Sequence, residues 1–248
     1  MKIGLQMYTL REKMTDEAST REAIRKVKAT GYEVIQLAGN LTDMAAVGRI
    51  ALEEGLPPVS FMASLDRYTA DIEETFRICK ELGVTDLGFS SGFTTPAEAE
   101  ALIAGVNPFA AQAAAEGITF SYHNHSNELI RPDGKTPLLA MLLAGFSADV
   151  YFTPDTYWLQ HGGADVRQWL SILGPRTRVL HVKDMMRTPN GPTYAEIGQG
   201  NLWWEEILPL AESMNIPYCV VEQDVCLRDP FESIQISYDY LYEKLHKA

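Results

Sequence analysis

The sequence is short of cysteine and of positive charge. It holds three cysteines, Cys79, Cys219 and Cys226. An odd number with no C-x-x-C spacing fits a reduced, cytoplasmic setting. Lys and Arg number 21 against 33 Asp and Glu, for a formal net charge of −12. Such a surface repels phosphate backbones, so no nucleic-acid partner is expected. The one basic run, Arg21–Lys28, interleaves with apolar residues as a solvated helix face does. No apolar stretch approaches the ~20 residues that span a bilayer, so no membrane partner is expected. Met1-Lys2-Ile3-Gly4-Leu5-Gln6 enters an apolar segment at once, without the pattern of a secretory signal. No Gly-x-Gly-x-x-Gly follows the first apolar segment, which counts against a dinucleotide-binding open sheet. With no low-complexity stretch and no obvious linker, residues 1–248 read as one domain.

What the sequence has is repetition of pattern. Apolar residues make up 46% and charged residues 22%, enough for a sizeable core. Eight short apolar segments recur: Lys2–Tyr8, Glu33–Ala38, Pro58–Ala63, Asp86–Ser90, Ile118–His123, Val150–Asp155, Arg178–Asp184 and Tyr218–Asp224. Most are near-continuous runs, as in strands covered on both faces. Helical marks lie between them. Thr15-Asp16-Glu17 offers a cap and Gly31 a stop. Asp71–Leu82 puts Ile72, Phe76, Cys79 and Leu82 on one face before Gly83, and Thr95-Pro96-Ala97-Glu98 opens a long alanine-rich segment. Ala164–Leu173, Trp203–Met214 and Ile234–Leu245 fill later gaps. Strand and helix alternating eight times predict a single-domain (β/α)8 TIM barrel, with an open doubly wound sheet as the alternative.

In such barrels reactive groups gather at the C-terminal ends of the strands. The first segment ends in Gln6 and Tyr8, the second in Gln36 and Asn40, and the third offers only Phe61-Met62-Ala63-Ser64. The fourth gives Ser90 and Ser91. The fifth gives His123-Asn124-His125 with Glu128 beyond, and the sixth gives Asp155 followed by Tyr157 and Trp158. The seventh gives His181, Lys183, Asp184 and then Arg187, and the eighth gives Glu222, Gln223 and Asp224. Each residue has an ordinary reading. Asp155, Asp184 and Asp224 can be caps or ion-pair partners, a buried histidine can be a satisfied core residue, and Trp158, Trp203 and Trp204 can be packing. Four neighbouring segments that all end in ionisable groups are poorly explained that way. Imidazoles and carboxylates converging on one mouth call for a cation, and mixed N and O donors suit Mn, Zn, Fe, Co or Ni better than Ca.

Taken in order, these residues resemble the xylose isomerase-like TIM barrel superfamily, the sugar phosphate isomerase/epimerase group. The resemblance runs from Ile3-Gly4-Leu5-Gln6-Met7-Tyr8-Thr9-Leu10-Arg11 through Tyr122–Glu128, Asp155-Thr156-Tyr157-Trp158 and Leu180–Asp184. It ends with Ile197–Trp203 and Val221-Glu222-Gln223-Asp224. It implies one divalent metal, Mn first, with Zn, Mg, Co or Fe as alternatives. Asp155, His181 and Glu222 match three of its ligands. The fourth is Glu128, with His125 or His123 as alternatives, because His123 stands where the family's ketose epimerases carry a glutamate. Arg187 matches the spacing of a substrate-contacting arginine, and a homo-oligomer is compatible with the family.

The expected chemistry is proton abstraction beside a carbonyl in a sugar, keto-sugar or inositol derivative, with the charge of an enediolate held by the metal. Glu222 and one of Glu128, His123 or His125 would move protons. Lys183 and Arg187 would meet charge or hydroxyls, and Gln6, Tyr8 and Trp158 would line the pocket. An isomerase or epimerase is the first reading. A dehydratase or lyase sharing that first step, and a non-catalytic sugar-binding barrel, are the alternatives. An apurinic-site endonuclease shares the fold, but five histidines and a charge of −12 count against it.

Overall fold

A computed structural model describes residues 1–39 and 43–246; Asn40 lies outside them. The strands are β1 (Lys2–Gln6), β2 (Val34–Ala38), β3 (Pro58–Met62), β4 (Asp86–Phe89), β5 (Thr119–His123), β6 (Val150–Thr153), β7 (Val179–Val182), β8 (Asp184–Thr188), β9 (Gly191–Ala195) and β10 (Tyr218–Val221). Eight of them form one parallel sheet in the order β6-β5-β4-β3-β2-β1-β10-β7. Two single bridges, Phe152 to Thr177 and Asp155 to His181, join the ends of that sheet and nearly close it. The chain is a TIM barrel, as the alternating pattern predicts.

The strands are buried on both faces, which is why their sequences run almost unbroken in apolar residues. Outward-facing rings pack under the helices: Phe89 stacks on Phe120 at 4.2 Å, and Phe109 of helix Pro96–Ala115 meets Phe120 edge-on at 4.7 Å. Helix ends carry the expected chemistry. The Asp16 side chain caps Glu17–Thr30, Asp71 caps Ile72–Leu82, and Thr95 with Glu98 forms a capping box. Gly83 closes the second of these with φ near +70°, a left-handed turn that favours glycine.

Three departures from the sequence pattern bear on function. The first strand ends at Gln6, and Met7–Lys13 turns into a 3-10 helix. Beyond β7 the chain makes an antiparallel hairpin, β8–β9, that periodicity did not announce. Trp203, read as packing, is 66% exposed, whereas Trp204 is buried.

Candidate metal centre

Parallel strands place their C-terminal ends at one mouth, and β5, β6, β7 and β10 deliver four side chains there. His123, Asp155, His181 and Glu222 are all buried, and each offers one ligand atom within 4.8 Å of the others. His123 is the last residue of β5 and His181 the third of β7, while Asp155 and Glu222 follow the ends of β6 and β10.

Asp155 serves two purposes. Its Oδ1 accepts the Trp158 backbone N–H at 2.9 Å and so caps helix Thr156–His161. Its Oδ2 faces His123 Nε2 at 3.2 Å. The cap and ligand readings are therefore compatible, one per oxygen. His181 Nδ1 faces Glu222 Oε2 at 3.3 Å, yet this buried nitrogen has no hydrogen-bond partner among the described residues. Buried polar atoms are rarely left so, and a lone pair aimed at two carboxylates and a second imidazole suits a metal ion. Two nitrogens and two oxygens in that space fit a divalent cation, and the donor set suits borderline metals.

The electrostatics agree. Burial works against charge on Asp155 and Glu222, but Lys183 and the neighbouring imidazoles hold both carboxyls well below the usual range. Burial also disfavours the His181 cation, yet Glu222 and Asp155 outweigh it and raise that pKa to about 9. This small volume draws positive charge.

Lys183 supplies some of it. Its ammonium donates to Asp224 Oδ2 at 2.8 Å and to Glu222 Oε2 at 3.2 Å, although the side chain is 1% exposed. Burial opposes its charge, and Glu222, Asp155 and Asp224 raise the pKa in spite of it. Rings of Tyr157, Trp158 and Tyr194 close around the ammonium, each centroid within 5.8 Å. Tyr194 comes from β9, so the hairpin is what covers this half of the mouth. Asp184 anchors the hairpin. Its carboxylate accepts the backbone N–H groups of Met185, Gly198, Gly200 and Leu202 and the Trp204 indole N–H. Gly200 is needed there because a Cβ would run into the Asp184 carboxylate.

Glu128 does not join the donors. It sits in a 3-10 turn, Asn127–Leu129, and its carboxylate accepts the Tyr122 hydroxyl. The fourth place in the group falls to His123, on the strand itself, which needs no returning loop. His125 lies just outside: its ring packs edge-on against His123 at 4.9 Å and against Trp158 at 5.1 Å. Burial, then the His123 charge, pushes its pKa down to about 4. Arg187 is exposed on β8 and is not among the residues that line the open mouth. That mouth is a cavity of about 410 Å³ lined by Gln6, Tyr8, Met62, Ser64, Arg67 and Glu222, among others. It lies over β1 to β4, beside the donor group. The Trp158 indole N–H is buried without a partner among the described residues.

Beneath the donors lies a polar layer of which the sequence pattern singled out Gln36 but not Ser60, Asp86 or Ser121. Gln36, Ser60, Asp86 and Ser121 are buried and joined in one hydrogen-bonded chain. A lone polar residue inside an apolar strand was the available signal.

Residues 14–243 match the family described as xylose isomerase-like TIM barrel. The chain belongs to that family. Among solved structures, a sugar phosphate isomerase/epimerase from Parabacteroides distasonis is 26% identical with a TM-score of 0.81, covering 98% of each chain. An L-ribulose 3-epimerase superposes with a TM-score of 0.76 at 13% identity, covering 100% of this chain and 95% of the other. A family protein from Mycobacterium smegmatis in complex with magnesium has a TM-score of 0.75 at 15% identity, covering 99% of this chain and 97% of the other. No curated protein matches the chain. Among the described residues no helix is long and apolar enough to cross a membrane.

Proposed function

We propose that this family member is a divalent-metal-dependent isomerase or epimerase of a sugar or keto-sugar. One observation carries the reading: the unpartnered Nδ1 of His181 faces Glu222 within a buried set of two imidazoles and two carboxylates. Glu222 also borders the 410 Å³ cavity, so one carboxylate touches both the donor group and the space for substrate. The likeness to sugar isomerases and epimerases supports the substrate class. Mn is the first choice, and Zn, Mg, Co and Fe suit the same donors.

A divalent cation held by His123, Asp155, His181 and Glu222 would supply the positive charge that stabilises negative charge growing on the substrate oxygen. Glu222 takes the proton from the carbon next to that carbonyl. The C–H electron pair becomes the C=C bond of the enediolate, and the carbonyl oxygen gains charge. The Lys183 ammonium, already beside Glu222, donates to that oxygen. A second group returns a proton, to the opposite face in an epimerase or to the neighbouring carbon in an isomerase. Glu128 is engaged by Tyr122 and His123 belongs to the donor set, which leaves His125 for that role: its neutral imidazole passes on its N–H proton while the other ring nitrogen takes one from water. The Trp158 N–H, unpartnered among the described residues, donates to a substrate hydroxyl, and Gln6 and Tyr8 shape the pocket wall.

Metal content measured by mass spectrometry, with Asp155→Ala/His181→Ala as the control, tests the reading. About one equivalent in the wild type, lost in the double variant, is expected. Ketoses incubated in heavy water should then gain deuterium at the carbon beside the carbonyl. A wild-type chain that takes up neither Mn nor Zn overturns the proposal in favour of a metal-free sugar-binding barrel. A product that has lost water makes it a lyase.

A further inference from the structure

The barrel interior below the donor group is unusual for this fold, whose layers are ordinarily bulky and aliphatic. Gln6, Gln36, Ser60 and Asp86 lie side by side in register on β1 to β4. Their hydrogen bonds have a defined direction. Asp86 is the terminal acceptor: Ser60 Oγ donates to its Oδ2 at 2.7 Å, Thr119 Oγ1 donates to its Oδ1 at 2.8 Å, and Ser121 Oγ donates to Oδ1 as well. Having given its proton to Asp86, Ser60 turns a lone pair to Gln36 Nε2 at 2.9 Å. That fixes the amide of Gln36 with Oε1 pointing the other way. Oε1 receives Gln6 Nε2 at 2.6 Å and stands 2.6 Å from Nε2 of His181. An amide oxygen only accepts, so Nε2 of His181 carries the hydrogen. The other ring nitrogen, Nδ1, is then the one that faces the donor group, and it offers its lone pair once its own proton leaves, as cation binding requires.

We propose that Gln36, oriented by Ser60 and Asp86, is a positioning residue that sets the His181 tautomer for metal binding; this rests on the metal-centre reading above. Gln36 touches neither cation nor substrate. It acts through His181, as partners on the far nitrogen of a ligating histidine do. Without it, the Nε2 hydrogen loses its acceptor in a buried site. The tautomer with hydrogen on Nδ1 then competes, and that form must give up its proton before it can ligate.

The test is a Mn(II) titration of the metal-stripped chain by isothermal calorimetry, with circular dichroism to establish folding. Gln36→Met keeps the volume and removes the acceptor, and should weaken Mn binding about 10- to 100-fold. Ser60→Ala leaves Gln36 in place but unanchored, and should weaken binding by about threefold, less than direct loss of the acceptor. The Zn-loaded wild type, with 15N-labelled histidine, should show hydrogen on Nε2 of His181 and metal on Nδ1. Folded Gln36→Met that binds Mn as tightly as the wild type overturns the proposal, as does metal on Nε2. Should Gln36→Met fail to fold, unchanged affinity in Ser60→Ala together with metal on Nε2 overturns it. A wild type with no Mn or Zn uptake fails at the metal reading itself, and is recognised because no chain then gives binding heat.

Discussion

On one side of the mouth, β5, β6, β7 and β10 bring up His123, Asp155, His181 and Glu222, and Tyr194 of the hairpin closes over Lys183. On the other side, the ends of β1 to β4 offer Gln6, Tyr8, Met62, Ser64 and Ser90 around open space. The first half concentrates charge and excludes water, where electrostatic interactions are strongest. The second half is roomy and carries far less charge, with Arg67 beside the otherwise neutral strand ends. Under the proposed function, chemistry and recognition fall on two arcs of one barrel, and Glu222, which belongs to the donor group and borders the cavity, stands at the boundary. The division explains why the donor half reads as a dense set of ionisable residues and the other half as very little.

The largest effect expected is at that boundary. Glu222→Gln keeps the shape and removes the base, and should lower kcat about 10²- to 10⁴-fold; steady-state kinetics with a ketose substrate would check it. Turnover close to wild type would break the division, because the reacting group would then lie elsewhere.

Lys183→Met comes next. Removing the cation leaves Asp155, Asp224 and Glu222 facing one another around a buried gap. Breaking one partner out of a buried ionic set costs about 3–5 kcal/mol. Thermal unfolding of the metal-free variant should fall by on the order of 10 °C, and added Mn should restore more of the loss than it adds to the wild type. An unchanged midpoint would show that the charged half does not need this ammonium.

Gly88→Ala sharpens the other arc. A Cβ there would press on the Met62 methyl, which borders the cavity. The KM should change by about tenfold, the worth of one methyl group in a fitted pocket, with kcat little altered. A fall in kcat alone would mean that this wall also shapes the reacting end.

Arg187→Ala should matter least. The side chain is exposed on the hairpin, so kcat/KM should move by no more than about twofold. A loss beyond tenfold would show that the hairpin swings inward with substrate and that Arg187 belongs to the charged arc.

Much of this was legible before the structure. Strands covered on both faces must be apolar on both, so their eight segments stand out in sequence, and Asp16, Asp71 and Thr95 announce the helices that they cap. The ionisable ends of the fifth to eighth apolar segments stood out because polar residues at the ends of apolar runs are conspicuous, and the family resemblance picked Asp155, His181 and Glu222 from among them. The fourth donor was not legible. His123, His125 and Glu128 are close in sequence, and only the turn after β5 decides which of them faces inward. The hairpin was missed although Pro189-Asn190-Gly191 carries a turn signal, since its strands mix polar and apolar residues. Ser60, Asp86 and Ser121 each read as an isolated polar residue, and strand register alone makes them partners.

The sequence by itself determined the barrel and the arc that carries the ionisable groups. Periodicity and burial are local consequences of which residues avoid water. Tertiary structure alone decided which imidazole completes the donor group, what covers Lys183 and which nitrogen of His181 faces the site. Those outcomes depend on contacts between residues as far apart as Gln36 and His181, which meet only when the sheet curls and brings β2 opposite β7.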